Sequence, residues 1–223
     1  MRTKITFLLL LVSVFSANLF SQKKFELSDV SKFTGISDPQ VSPDAKSVIV
    51  VVSRPDYQQN RYNSELVLID IATGKQRILT QDRQTVSQPR WSPNGEQLAF
   101  LTKAGQGKEA NTQLFLLSMS GGDAKQLTKA PKGIQHFAWN PNSESIAYVT
   151  ADEPKNKKEI EKGYTDFEVG NNDMFIGSQP TPSHIWLIST TDGEAKKLTS
   201  GDWSLSVTIP PGAPSSPLSW SPD

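Results

Sequence analysis

Four carboxylates, Glu153, Asp166, Glu168 and Asp173, stand in a charged stretch of a chain that otherwise reads as strands. A carboxylate so placed can hold an ammonium group through charge-assisted hydrogen bonds. From Lys155 to Lys162 the residues Glu and Lys alternate at helix-compatible spacing, with Lys158 set against Glu161 and Lys162. The plainer reading of such a run is a solvated surface helix and loop. Arg54 and Arg61 lie in an earlier loop-like stretch. They read as surface residues, or alternatively as partners for a substrate carboxylate or acyl group. His136 and His184 fall in or beside predicted strands and read as structural side chains rather than catalytic bases. No Gly-x-Ser-x-Gly elbow occurs in the 223 residues, so no catalytic residue is assigned.

Composition narrows the chemistry further. With 23 Lys+Arg against 23 Asp+Glu, nothing favours nucleic acid or an anionic membrane as the main partner. The absence of Cys excludes disulfides, thiolate metal sites and a cysteine nucleophile. Two separated histidines leave little material for a metal centre, and neither metal nor cofactor is implied.

The chain begins with Arg2 and Lys4 followed by an apolar run from Ile5 to Phe20. That run is too short and too interrupted by Thr6, Ser13, Ser16 and Asn18 to span a membrane, which takes about 20 apolar residues. Residues 1–21 are expected to be a signal peptide, cleaved after Ser21 or Ser16, with no stable membrane insertion afterwards. Export to the periplasm or the extracellular medium follows. Residues 22–35 form a lead-in.

A repeat organises residues 36–223. Val41-Ser42-Pro43-Asp44, Trp91-Ser92-Pro93-Asn94, Trp139-Asn140-Pro141-Asn142 and Trp220-Ser221-Pro222-Asp223 share one turn signature. Proline presets φ there, and Asp or Asn caps the turn with its side chain. The next position suits Gly, as in Gly95, but holds Ala45 and Ser143 elsewhere. Apolar strands are predicted over Ser47–Ser53, Gln97–Thr102 and Ser145–Thr150, then over Glu65–Asp70, Gln113–Ser118 and His184–Ser189. After Gly-containing turns come short strands at Gln76–Leu79, Lys125–Leu127 and Lys196–Leu198, each reaching a Leu-Thr pair. Repeats fall at about 36–85, 86–133 and 134–201, a further one starts at 216–223, and a charged insertion occupies 151–183. Four short antiparallel strands per unit is the form of a β-propeller blade, so the fold class is all-β. Trp91, Trp139 and Trp220 read as blade-to-blade packing groups. Because the last turn breaks off at Asp223, the expectation is an incomplete propeller, the N-terminal part of a longer protein.

These repeats, Trp91-Ser92-Pro93-Asn94-Gly95-Glu96-Gln97-Leu98-Ala99-Phe100 above all, resemble the WD40-like repeats of exported bacterial proteins. One such group is the prolyl oligopeptidase family of serine peptidases, including dipeptidyl and acylaminoacyl peptidases. The other is the TolB propeller. The stretches from Ser53 to Tyr62 and from Asp166 to Leu187 look like insertions of the peptidases. That resemblance implies a propeller that gates and orients peptide substrates for a downstream α/β-hydrolase domain carrying the catalytic triad. It also implies that Glu153, Asp166, Glu168 and Asp173 are candidates for holding a substrate's free amino terminus. The alternative is a TolB-like periplasmic propeller that binds a protein partner without enzymatic activity. A standalone exported scaffold is the third reading.

Overall fold

A computed structural model describes residues 24–81, 83, 85–107, 110–164, 181–205 and 218–221. Residues up to Phe33 and those from Thr34 form separate units. The first contains a short 3-10 helix, Leu27–Lys32, with Asp29 and Lys32 paired at 2.6 Å. Residues 1–21, read as a signal peptide, lie outside the described residues.

In the second unit the described strands form three four-stranded antiparallel sheets, each a simple meander. The first sheet is β1 (Gly35–Val41), β2 (Ser47–Asp56), β3 (Arg61–Asp70) and β4 (Gln76–Ile78). The second is β5 (Val86–Trp91), β6 (Gln97–Ala104), β7 (Asn111–Ser118) and β8 (Lys125–Gln126). The third is β9 (His136–Trp139), β10 (Ser145–Ala151), β11 (Ser183–Ser189) and β12 (Ala195–Lys197). The Ser-Pro-Asp and Pro-Asn signatures turn the chain from first strand to second. Ala45, Gly95 and Ser143 occupy the same left-handed position there, at φ +58°, +75° and +64°.

Both faces of the middle sheet are buried, which is why its apolar residues ignore the alternation of a one-sided strand. Leu98 and Phe100 of β6 pack with Ile49, Val51 and Leu66 of the first sheet. Ala99 and Leu101 pack the other way, against Phe137, Trp139, Ile146 and Tyr148 of the third. The sheets therefore stack as blades. Phe100 is fully buried, and truncating such a side chain to Ala costs about 3–5 kcal/mol.

The repeated signatures have repeated bonds. The indole of Trp91 donates to Gln40 O at 3.2 Å, that of Trp139 to Arg90 O at 3.0 Å, and that of Trp220 to Ala138 O at 3.4 Å. Each acceptor immediately precedes the residue that holds the Trp position in the preceding unit, so the tryptophans fasten successive units in one register. Pro93 and Pro141 sit in the turns after Trp91 and Trp139, while Pro222 lies outside the described residues. The Leu-Thr pairs close the outer strand. Thr80, Thr128 and Thr199 each accept, at 2.9 Å, the backbone N–H of Leu66, Leu114 and Ile185 respectively. The hydroxyl thus satisfies a donor that β4, β8 and β12 are too short to reach.

The stretch from Ser53 to Tyr62 is not a loop insertion. The β2–β3 ladder continues to the Asp56–Arg61 pair, so Arg54 and Arg61 are strand residues and only a four-residue turn, 57–60, separates the strands. Alternation of β-compatible residues with cross-strand partners carries the pairing past the apolar core.

Candidate functional site

A meander places alternate connections at opposite rims. The β2–β3, β6–β7 and β10–β11 connections leave at one rim, together with the linkers between sheets. That rim bears the extended first hairpin with Arg54 and Arg61, and the base of the insertion with Glu153.

At the base of the insertion the ladder runs one rung past β10, where Asp152 N–H donates to Pro182 O at 2.8 Å. The Asp152 carboxylate then clamps two further strands. Lys197 Nζ of β12 donates to its oxygens at 2.8 and 2.9 Å, and His184 Nδ1 of β11 lies 2.9 Å away. Partial burial by itself would raise the Asp152 pKa. The Lys197 hydrogen bond, the nearby charges and the His184 bond outweigh it and hold the carboxyl below its ordinary 3.8. An ionised carboxylate only accepts, so His184 Nδ1 carries its proton. His184 is 1% exposed and makes a T-shaped contact with the Trp203 ring, the two ring centroids 5.5 Å apart. Its Nε2 is buried without a hydrogen-bond partner among the described residues. His184 is sealed from any substrate. It positions the insertion.

Glu153 follows directly and lines a small concavity. Together with Asp152, Lys155, Thr181, Pro182 and Asp202 it lines a volume of about 280 Å³. Its carboxylate pairs with Lys157 at 2.5 Å, an i,i+4 pair with both side chains more than 40% exposed. This pairing, rather than the one read around Lys158, anchors the short helix α1 (Lys157–Glu161). Asp166, Glu168 and Asp173 lie outside the described residues. Asp152, His184 and Lys197 escaped sequence reading as a group because 32 and 45 residues separate the carboxylate from its partners. The available signal was a charged residue directly after an apolar strand. His136 lies in β9, within the third sheet.

Blade two supports this rim with a buried polar cap. Gln113 Nε2 donates to Ala130 O at 2.7 Å, while its Oε1 accepts from Thr128 Oγ1 at 2.8 Å and Ala130 N–H at 3.0 Å. Gly133, at φ +73°, carries the linker so close to β7 that a Cβ there would lie 3.0 Å from Thr112 O. No group of His, Cys, Asp and Glu among the described residues could hold a metal ion. No helix among them is long and apolar enough to cross a membrane.

Comparison with known proteins sets these blades in context. The acylaminoacyl peptidase of Pyrococcus horikoshii superposes with a TM-score of 0.60 at 18% identity, over 78% of this chain and 26% of that one. The β-propeller domain of the Trilobed protease from Pyrococcus furiosus gives 0.52 at 18% identity, over 76% and 44%. The fold is a β-propeller. By sequence, the homologues are peptidases. An uncharacterised peptidase of Bacillus subtilis, YuxL, is 31% identical over 36% of this chain and 12% of its own length. Dipeptidyl-peptidase 5 of Porphyromonas endodontalis is 32% identical over 28% of this chain and 9% of its own. The matches thus span about a tenth of those peptidases. The family described as eukaryotic translation initiation factor eIF2A also matches, over residues 82–161 of the propeller.

Proposed function

We propose that this propeller is part of an exported serine peptidase of the prolyl oligopeptidase family, where it admits and orients peptides for an α/β-hydrolase domain. The observation that carries the reading is the sequence likeness to a dipeptidyl-peptidase at 32% identity. The rim geometry supports it. The extended β2–β3 hairpin and the base of the insertion, clamped by Asp152, lie on the same rim and would border the entry to a neighbouring domain.

Among the described residues, Glu153 is our candidate for selecting substrates by their amino terminus. Its carboxylate is partly exposed and already binds an ammonium, that of Lys157. A substrate ammonium can exchange with Lys157 at little cost, because an exposed ion pair contributes only about 0–1 kcal/mol. A carboxylate fixed at the base of the insertion then measures residues from one end of the peptide. Such a contact made in both ground and transition states appears in KM.

The experiment is a comparison of dipeptidyl chromogenic substrates, with free and with acetylated amino termini, on the full-length secreted protein. Glu153→Gln raises KM for the free-amine substrates and leaves the acetylated ones unchanged. Absence of any peptide hydrolysis by the full-length protein, combined with recovery of a stable protein partner from the periplasm, overturns the enzyme reading in favour of a binding propeller. Export is tested separately: the mature protein in the exported fraction should begin near Gln22, and retention of Met1 refutes cleavage.

A further inference from the structure

On the first blade Arg54 stands opposite Asn63 and Asp56 opposite Arg61, so both guanidiniums lie diagonally on one face of the extended hairpin. Two carboxylates share that face. Glu65 accepts from Arg54 Nη1. Asp56 is occupied by Gln59 N–H and Asn63 Nδ2, each at 3.1 Å. Arg61 faces Asp56 across the ladder, yet its Nε is buried and bonds to no described residue. Arg61 as a whole is half-buried, and a guanidinium without a carboxylate partner at a rim is open to an anionic ligand.

The same residues surround a hollow. Arg54, Arg61, Asn63, Glu65, Gln81 and Arg83 are among the lining of a concavity of about 620 Å³ at this rim. Arg83 comes from the linker after β4. Its guanidinium stacks 4.6 Å over Phe115 and donates to Ala124 O at 3.4 Å, so its charge is fixed in place. Three arginines thus share the lining with one carboxylate, Glu65, which Arg54 already holds.

We propose that this concavity is a carboxylate-binding subsite, taking the acidic side chain or the free C-terminal carboxylate of a peptide. Arg61 lines this concavity, and its planar guanidinium matches a carboxylate's two oxygens in the bidentate manner a lysine cannot reproduce. Arg83 adds field rather than a ligand bond. The subsite rests on the peptidase reading only for its choice of peptides as ligands, and its binding is measured without turnover.

The test uses full-length protein inactivated with a serine-directed phosphonofluoridate; covalent labelling by that reagent independently checks the peptidase reading. Three fluorescent alanine-based peptides are compared by anisotropy: one with a free C-terminus, one amidated, and one amidated with an internal Glu. At least one acidic peptide should bind about tenfold more tightly than the neutral one, a factor worth about 1.4 kcal/mol. A preference for the free terminus assigns the α-carboxylate, and a preference for the internal Glu assigns the side chain. Arg61→Gln should abolish the preference, while Arg61→Lys should keep part of it. Equal affinity for all three peptides overturns the proposal, as does a preference that survives Arg61→Gln. Should that variant not fold, added salt decides: an acidic preference in the wild type that salt leaves unchanged is not made by these guanidiniums.

Discussion

Replacing Asp152 with Asn separates the clamp from its charge while keeping its shape. In the native structure this carboxylate accepts from Lys197 at 2.8 Å and from His184, which is 1% exposed, at 2.9 Å. Losing a hydrogen bond to a charged acceptor costs about 1.5–3 kcal/mol. Lys197 is about a third exposed and recovers water, so its share of the loss is small. His184 cannot. The net expectation is about 2 kcal/mol, which for a unit of this size lowers Tm by about 4–8 °C. The pH dependence has a definite sign. A carboxyl held below 3.8 in the folded state stabilises above its unfolded pKa and loses that contribution as pH falls through the folded value. The gap between wild type and variant should therefore be full at neutral pH and shrink below about pH 4. Differential scanning calorimetry on the full-length protein, following the propeller transition at both pH values, reads it directly. Limited proteolysis supplies the local readout, since the variant should be cut sooner between Glu153 and Pro182. A Tm within about 1 °C of wild type at neutral pH, with unchanged proteolysis, would refute the clamp.

The repeat offers three further checks. Ala45→Gly should stabilise by about 0.5–1 kcal/mol, because Ala45 is held at φ +58° where only Gly escapes a Cβ penalty; urea midpoints measure it. Ser143→Gly, at φ +64°, should gain less, since Ser143 Oγ accepts Asn94 N–H at 3.1 Å and that bond would go. Thr128→Val should cost about 1–3 kcal/mol by leaving buried Leu114 N–H and Gln113 Oε1 short of a partner, with faster exchange of the Leu114 amide as the specific signature.

What could be read from sequence is what the chain writes locally or repeats. The Pro-Asp and Pro-Asn turns were legible because φ of proline and the capping reach of Asp are properties of neighbouring residues. The four-strand unit was legible because it recurs, and the recurrence survived Ala45 and Ser143 standing where Gly fits best. The Leu-Thr pairs were visible as a pattern, although their purpose, a hydroxyl capping a strand that has run out, appears only in the bonds of Thr80, Thr128 and Thr199. Strand ends were less legible. The β2–β3 ladder runs on through Arg54, Pro55 and Tyr62, polar or awkward residues whose pairing is dictated by the partner strand rather than by their own preference.

The candidate site divides along the same line. Glu153 could be picked out because a charge run interrupts a regular repeat, and interruption is a property of sequence. Its neighbours could not. Asp152, His184 and Lys197 meet only because β10, β11 and β12 lie side by side in register, and Arg54, Arg61 and Arg83 only because a linker returns past the hairpin. Sequence alone determined the unit, its turns and the blade that it builds, because those follow from residues within a few positions of one another. Tertiary structure decided which charges share a space, because the distance between charged groups is set by sheet register and blade stacking, and no local spacing encodes it.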